Sequence, residues 1–458
     1  MFLRTLKCKN HHITPIDTRM YYYDNKGRMT ISRKYGTTGP TGCKSRHKPD
    51  NYGLCDKVYV APANRGLLHC GNRAAYNTKG TGRYEQYYNI CRNGYTQKQH
   101  KAAIKYPDRD NVVEFTIKNT PSDIKRAVKK IARQAPGPVE FCYEAGVCGF
   151  SLKRRIEALG FKCAVIAPSL VPVKPGVRIK TDRRDAKKLQ EYYSAGLLTE
   201  VHAPNEKQEA DRELVRLRET ARKDVQRAQH HILKFLNRHS YIYHQGNHWT
   251  DKHITWLRGI NFEEPALNEV FEAYFAQYIN CCERLDRCDR RVEALAETDD
   301  YREMVGILSC FHGIKTITAI SILVEIFDFA RFESAPAFMS YLGLTPKEDS
   351  SGESEKKGPI TKAGNKRVRR LLNETAHHYR HRYVPSKALK KRRESRPQWG
   401  IEIADRAGQR LSYRHRYLRA RGKILVKANI AVARELAGFI WFTATQYYAR
   451  KQAQPQKV

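Results

Sequence analysis

Two carboxylates three residues apart, Asp182 and Asp185 in Lys180-Thr181-Asp182-Arg183-Arg184-Asp185-Ala186, carry the clearest chemical signal in the chain. The stretch reads as a helix start, where residues i and i+3 share one face. Upstream, Glu144 ends the apolar run Val139–Tyr143, which reads as a buried strand. Acidic side chains gathered in so basic a chain suit a divalent cation. Hard divalent cations take carboxylate oxygens and can activate phosphodiester chemistry. A plainer alternative stands beside this one: a helix N-terminus favours acidic residues, and a lone glutamate can be solvated. A second reactive group stands at Ser350-Ser351-Gly352, between Pro346-Lys347 and Lys356-Lys357. Serine beside glycine reads as a solvated loop, yet a hydroxyl in a positive field can attack a backbone phosphate. No local general base accompanies it, so carboxylates or metal from another part of the chain must serve.

The chain's 84 Lys and Arg residues outnumber its 47 Asp and Glu, for a formal net charge of +37 over 458 residues. A field of that size calls for a polyanionic partner. Membrane is the competing polyanion, but no window approaches the roughly 18 apolar residues of a spanning helix. The start, Met1-Phe2-Leu3-Arg4-Thr5-Leu6-Lys7, does not continue into a signal-peptide core. Nucleic acid in a cytoplasmic setting is the expected partner class. Twelve cysteines show no close pairing, and Cys8, Cys43, Cys55, Cys70 and Cys91 are spread unevenly. That spacing speaks for reduced thiols rather than a zinc site.

The elements that must position these groups begin after an atypical first stretch. Residues 1–105 are rich in Tyr, Asn, Gly and Lys and lack sustained apolar periodicity. From there Val112–Ile117 alternates as a strand, and Thr120-Pro121-Ser122-Asp123 caps a helix carrying Ile124, Ala127, Val128 and Ile131. Strand Val139–Tyr143, helix Phe150–Leu159 and strand Lys162–Ile166 complete an α/β unit over 106–204. Residues 205–300 read as two long helices, near 206–238 and 262–298, with a seam through Leu214, Leu217, Ala221, Val225, Ala228, Ile232 and Phe235. An antiparallel pair or coiled coil is expected, with dimerisation as its functional extra. Residues 303–445 read as helical and basic, with a glycine turn at Phe311-His312-Gly313-Ile314-Lys315 that suits a phosphate at a helix N-terminus. A tail, 446–458, follows.

In combination, these stretches resemble one family. Tyr143-Glu144-Ala145-Gly146, Lys180 to Ala186, a helical spacer, the glycine turn, Gly343-Leu344-Thr345-Pro346, Ser351-Gly352 and Ile360-Thr361-Lys362-Ala363-Gly364-Asn365 are similar to the DEDD transposases of bacterial and archaeal insertion sequences, relatives of the Piv DNA invertases. The likeness covers roughly residues 108–445. It implies an RNase H/RuvC-like catalytic domain, a coiled-coil linker and a mainly α C-terminal transposase domain. It also implies Mg2+ held by the acidic residues, a serine joined covalently to cleaved DNA, a structured guide (bridge) RNA and a homo-oligomer. Glu144, Asp182 and Asp185 match three of the four acidic positions. Ser351 matches the nucleophile, with Ser350 as its alternative. Phosphate contacts are expected from Lys180, Arg183, Arg184, Lys362, Lys366, Arg367, Arg369 and Arg370.

One position departs from the pattern. Counting back from Ala103-Ile104-Lys105 to the first aspartate reaches Arg92-Asn93-Gly94-Tyr95, where no acidic residue stands. Asp56 and Asp17 lie too far upstream. A sheet lacking its first strand would leave Val112–Ile117 as an unpaired edge, and a shifted reading frame would account for the odd composition of residues 1–105. Two rivals to an active recombinase follow: a non-catalytic nucleic-acid-binding remnant, and a metal-dependent junction nuclease without a covalent serine.

Overall fold

The computed structural model describes residues 21–23, 29–31, 86–92, 99–105, 112–135, 137–172, 182–351 and 354–453. The chain divides into two compact units, one of residues 1–71 and 230–275, the other of residues 72–229 and 276–458. In the first unit β1 (Tyr21–Tyr23) pairs antiparallel with β2 (Met29–Ile31).

The second unit holds a five-stranded sheet. Its strands are β3 (Gln86–Arg92), β4 (Gln99–Lys105), β5 (Val112–Lys118), β6 (Val139–Glu144) and β7 (Lys162–Ile166), in the spatial order β5-β4-β3-β6-β7. The first three form an antiparallel meander, and β3, β6 and β7 run parallel. Helix α1 (Pro121–Gln134) starts where the sequence places it: the Thr120 hydroxyl accepts from the Asp123 amide at 3.1 Å, and Pro121 fills the first turn. Ile124, Val128 and Ile131 of α1, with Leu152 and Ile156 of α2 (Ser151–Glu157), bury one face of the sheet against Phe141 and Tyr143. The helix expected from Phe150 to Leu159 is shorter because the chain turns at 158–160, where Gly160 has a φ of +86°. On the other face, Ala186 and Leu189 of α3 (Asp182–Ser194) pack against Ala103, Cys142 and Ala164.

Two expectations change here. The sheet does not lack a strand at its centre, because β3 lies between β4 and β6, inside the region set apart by composition. Val112–Lys118 is an edge, but a paired one, joined to β4 along its whole length.

Two long helices follow, α4 (Glu206–Arg238) and, after α5 (Asp251–Arg258), α6 (Pro265–Ala296). In the second unit Arg218 donates to Asp289 at 2.6 Å and Arg284 pairs with Asp224, so ion pairs join α4 to α6. In the first unit the Phe235 ring packs on Phe262, Phe271 and Tyr274, and His253 is buried beside Tyr243 and Trp256. The apolar seam is thus largely covered within the chain. Ile232 and Phe235 are buried, Leu214 packs on the core, and Leu217 alone of the four stays half exposed.

The remainder is mostly helical: α7 (Arg302–Leu308), α8 (Thr316–Ile326), α9 (Ala335–Tyr341), the hairpin β8 (Pro346–Ser351) and β9 (Ser354–Ile360), then α10 (Lys366–Ala376), α11 (Lys387–Arg393), α12 (Gln398–Ala420) and α13 (Leu425–Ala453). Helix α8 is buried on every side from Ala319 onward and forms the centre of a core with Phe311, Phe329, Phe338 and Tyr379. Gly313, with a φ of +82°, makes the expected turn between α7 and α8, and the His378 ring lies where its Cβ would go. The serine segment is not the irregular loop that its composition suggests. It is the end of a strand, paired Ser350 to Glu355 and Ser351 to Ser354. No helix among the described residues is long and apolar enough to cross a membrane.

Candidate functional site

The acidic residues fall on the side of the sheet that α3 covers. Residues alternate along β6, so Phe141 and Tyr143 face α1 and α2 while Glu140, Cys142 and Glu144 share the opposite face. Helix α3 begins at Asp182, and Asp185 is half-buried, one residue before the buried Ala186. One hydrogen bond fixes the helix to the strand: the Tyr193 hydroxyl donates to Glu140 Oε2 at 2.9 Å, while Lys162 Nζ holds Oε1 at 2.9 Å. Burial, and then the adjacent Glu140 carboxylate, push the Tyr193 hydroxyl far above its usual pKa, so it remains a donor. From this anchor Asp185 lies eight residues back along the helix, about 12 Å, and Glu144 four residues on along the strand, about 13 Å. Among the described residues no three His, Cys, Asp or Glu side chains gather closely enough to hold a metal ion. The Asp182 and Arg183 side chains and all of Lys180 lie outside the described residues, and Arg184 is exposed.

The central strand explains the missing fourth acid. Strand β3 pairs with β6 from Gln86 opposite Val139 to Asn89 opposite Cys142. Continued two residues beyond the ladder, that register would put Cys91 level with Glu144, and the strand sequence Gln-Tyr-Tyr-Asn-Ile-Cys-Arg contains no carboxylate. The upstream alternatives, Asp17 and Asp56, and the cysteines Cys8, Cys43, Cys55 and Cys70 lie outside the described residues.

The serine hairpin has a rigid base. Thr361 donates its amide to the Thr345 carbonyl at 2.9 Å, and Lys362 to the Gly343 carbonyl at 3.1 Å. Gly343 and Gly364 have φ of +64° and +63°. A Cβ on the first would collide with the Ala363 backbone, and on the second with the Tyr341 carbonyl. The Ser350 and Ser351 side chains lie outside the described residues. Below the base Asn365 caps α10, accepting from the amides of Arg367 and Val368 at 3.0 and 3.1 Å, and donates through Nδ2 to Glu325 Oε2 at 2.8 Å. Glu325 is buried and bound bidentately by Arg216 of α4 at 2.8 and 3.0 Å. Glu219, one turn along α4 from Arg216, pairs with Arg367 and, at 3.0 Å, with Arg370. Burial opposes ionisation of Glu219, but Arg370, Lys223 and Arg367 outweigh it and hold its carboxyl below the usual range.

These contacts divide the basic residues expected to touch phosphate. Arg367 and Arg370 are paired to carboxylates, and Arg369 donates to the carbonyls of Leu342 and Ala363 at 2.7 and 2.6 Å. Lys362 and Lys366 are exposed beside them. Reading the sequence alone misses Arg216, Glu219 and Glu325. A single glutamate in the apolar run Thr316–Ile326 is the signal that marks Glu325, since a buried acid needs a partner.

A sequence model described as Transposase IS116/IS110/IS902 family matches residues 306–391, and a DEDD transposase model of the IS110 type matches residues 95–241. The chain is 40% identical over 352 residues to a putative transposase, y4qE, of Sinorhizobium fredii, covering 75% of this chain and 85% of the relative. It is 32% identical over 318 residues to the transposase for insertion sequence element IS1533 of Leptospira borgpetersenii, covering 69% and 91% respectively. To the transposase for insertion sequence element IS1111A of Coxiella burnetii it is 23% identical over 235 residues, 48% of this chain and 60% of the relative.

Proposed function

Because the chain belongs to the IS110 family of insertion-sequence transposases, we propose that it exchanges DNA strands through Ser351 of the β8–β9 hairpin, assisted by the carboxylates Glu144, Asp182 and Asp185. The DEDD model carries an RNase H-like fold for residues 95–241. One observation supports the acidic site above all: Glu144 lies on the sheet face packed by α3, and matched lengths of strand and helix separate Glu144 and Asp185 from the Glu140–Tyr193 anchor. A donor set of carboxylate oxygens fits a hard divalent cation, Mg2+ in this reading, which supplies charge neutralisation at the phosphate when bound. The protein's own residues do the rest. The Ser351 Oγ–P bond forms as a P–O bond of the DNA backbone breaks, and the hydroxyl proton passes by way of a carboxylate of the acidic set to the leaving strand oxygen, which departs as a free hydroxyl. The hydroxyl of a partner strand end then attacks the same phosphorus, and its new P–O bond forms as the Oγ–P bond breaks and Ser351 regains its proton.

Lys180, Arg183, Arg184, Lys362 and Lys366 contact phosphate, while Arg369 holds the hairpin base, Arg367 and Arg370 tie α10 to Glu219 of α4, and all three lend their charge to the phosphate contacts. The guide RNA, the homo-oligomer and DNA association in the cytoplasm rest on the family resemblance, and the exposed Leu217 adds a small apolar contact for a second copy. The absence of a carboxylate from β3 favours a second feature: nucleic-acid binding outlasts strand cleavage in this chain. Denaturing electrophoresis with labelled donor DNA tests the reading. A covalent adduct that forms only slowly with the native chain and is lost in Ser351→Ala supports it, and hydrolytic cuts without an adduct would identify a junction nuclease instead.

A further inference from the structure

Helix α12 presents a face that strand exchange leaves unused. Arg406, Arg410, Tyr413 and Tyr417 recur at helical spacing, and the first three are exposed. The Tyr413 ring, 62% exposed, stacks on Tyr417 with centroids 6.0 Å apart and 25° between planes, and the Arg421 guanidinium lies 4.8 Å from the Tyr417 ring centre. Beside Tyr413 opens a cleft of about 840 Å3, lined by Met339, Gly438 and Phe439 and edged by the exposed Phe442. Gly438 admits the end of the Met339 side chain, which occupies the space a Cβ there would take. The one acid lining the cleft, Glu435, is already engaged by Arg410 at 2.8 Å and Arg414 at 3.3 Å. The rim is therefore positive and the interior apolar.

We propose that this cleft takes an unpaired base of a nucleic-acid strand, stacked on Tyr413, with the arginines of α12 on the adjoining phosphates. The proposal rests on the reading of nucleic acid as this protein's partner and names the strand it selects. A stacked aromatic pair backed by guanidinium groups matches the flat face of a base and the charge of its backbone. A protein segment would also fill an apolar cleft, but a rim of arginines favours a polyanion. A duplex hides its base faces, so the cleft discriminates single strands from double.

Fluorescence anisotropy on the full chain tests this, using a short labelled DNA single strand, the same sequence as RNA, and the corresponding duplex. Tyr413→Ala should weaken single-strand binding about ten-fold, the scale of one lost stacked base, and leave duplex affinity unchanged. Tyr413→Trp should restore it, and far-ultraviolet circular dichroism should match the native chain in both variants. A loss for RNA alone or DNA alone names the source of the base. Equal affinity of Tyr413→Ala and the native chain for single strands would overturn the proposal and leave a protein partner for the cleft. So would a parallel loss for duplex. A native chain that binds none of the probes would instead overturn the nucleic-acid reading itself.

Discussion

Glu325 has little access to water, and its two oxygens are taken by Arg216 and Asn365. Removing one partner of a buried pair leaves the other uncompensated, so Glu325→Leu should destabilise the folded chain by about 3 kcal/mol. Chemical denaturation would measure it, and a loss under about 1 kcal/mol would show that Arg216 finds water instead. Glu219 carries a pH signature. Its carboxyl titrates below the ordinary 4.5 in the folded protein, so its contribution is present above that value and is lost as the pH falls through the folded one. The acid limb of the stability profile should therefore flatten in Glu219→Gln, and an unchanged limb would deny the Arg367 and Arg370 pairing its role. The acids of the candidate site were legible as residue types, because Asp182 and Asp185 sit at a helix start and Glu144 ends an apolar run. Glu219 and Glu325 were not. Their arginine partners Arg367 and Arg216 lie 148 and 109 residues away along the chain, a separation that local spacing does not carry.

Among elements, those with strong local signals matched their reading. Strand Lys162–Ile166 has the expected bounds, α1 starts at Pro121 behind its Thr120 cap, and α4 spans 206–238. Thr120→Ala should cost about 1 kcal/mol, read by denaturant titration, and no change would mean that Ser122 or Asp123 substitutes for the cap. Two elements were hidden for a physical reason. Strand β3 is polar and rich in tyrosine, and it is placed by its pairing with β4 and β6 rather than by its own apolar pattern. Strand β8 carries Lys, Glu, Asp and Ser, a composition that suits a loop until β9 supplies its ladder. The two glycines at the hairpin base are the local trace of that geometry. Gly364→Ala combines a left-handed backbone with a collision at Tyr341, and should cost more than about 2 kcal/mol. Hydrogen exchange across residues 346–360 should rise in that variant, and native protection would contradict a rigid base.

At the scale of the whole molecule, a net charge of +37 sets the dominant interaction. Affinity for duplex DNA should fall steeply with salt, and Lys362→Ala or Lys366→Ala should each reduce the salt slope by roughly one. A slope unchanged by both would remove the hairpin base from the DNA interface. Glu144 and α3 share one face of the sheet, and the register of the central strand, continued past Asn89, puts Cys91 rather than a carboxylate level with Glu144. The decisive measurement is adduct formation between protein and labelled donor DNA in Mg2+, compared for the native chain and Cys91→Asp. Little adduct is expected from the native chain, with a gain on the order of 10- to 100-fold in Cys91→Asp, abolished when Ser351→Ala is added. A native chain that forms adduct as fast as Cys91→Asp would contradict it, and another residue would then be completing the site.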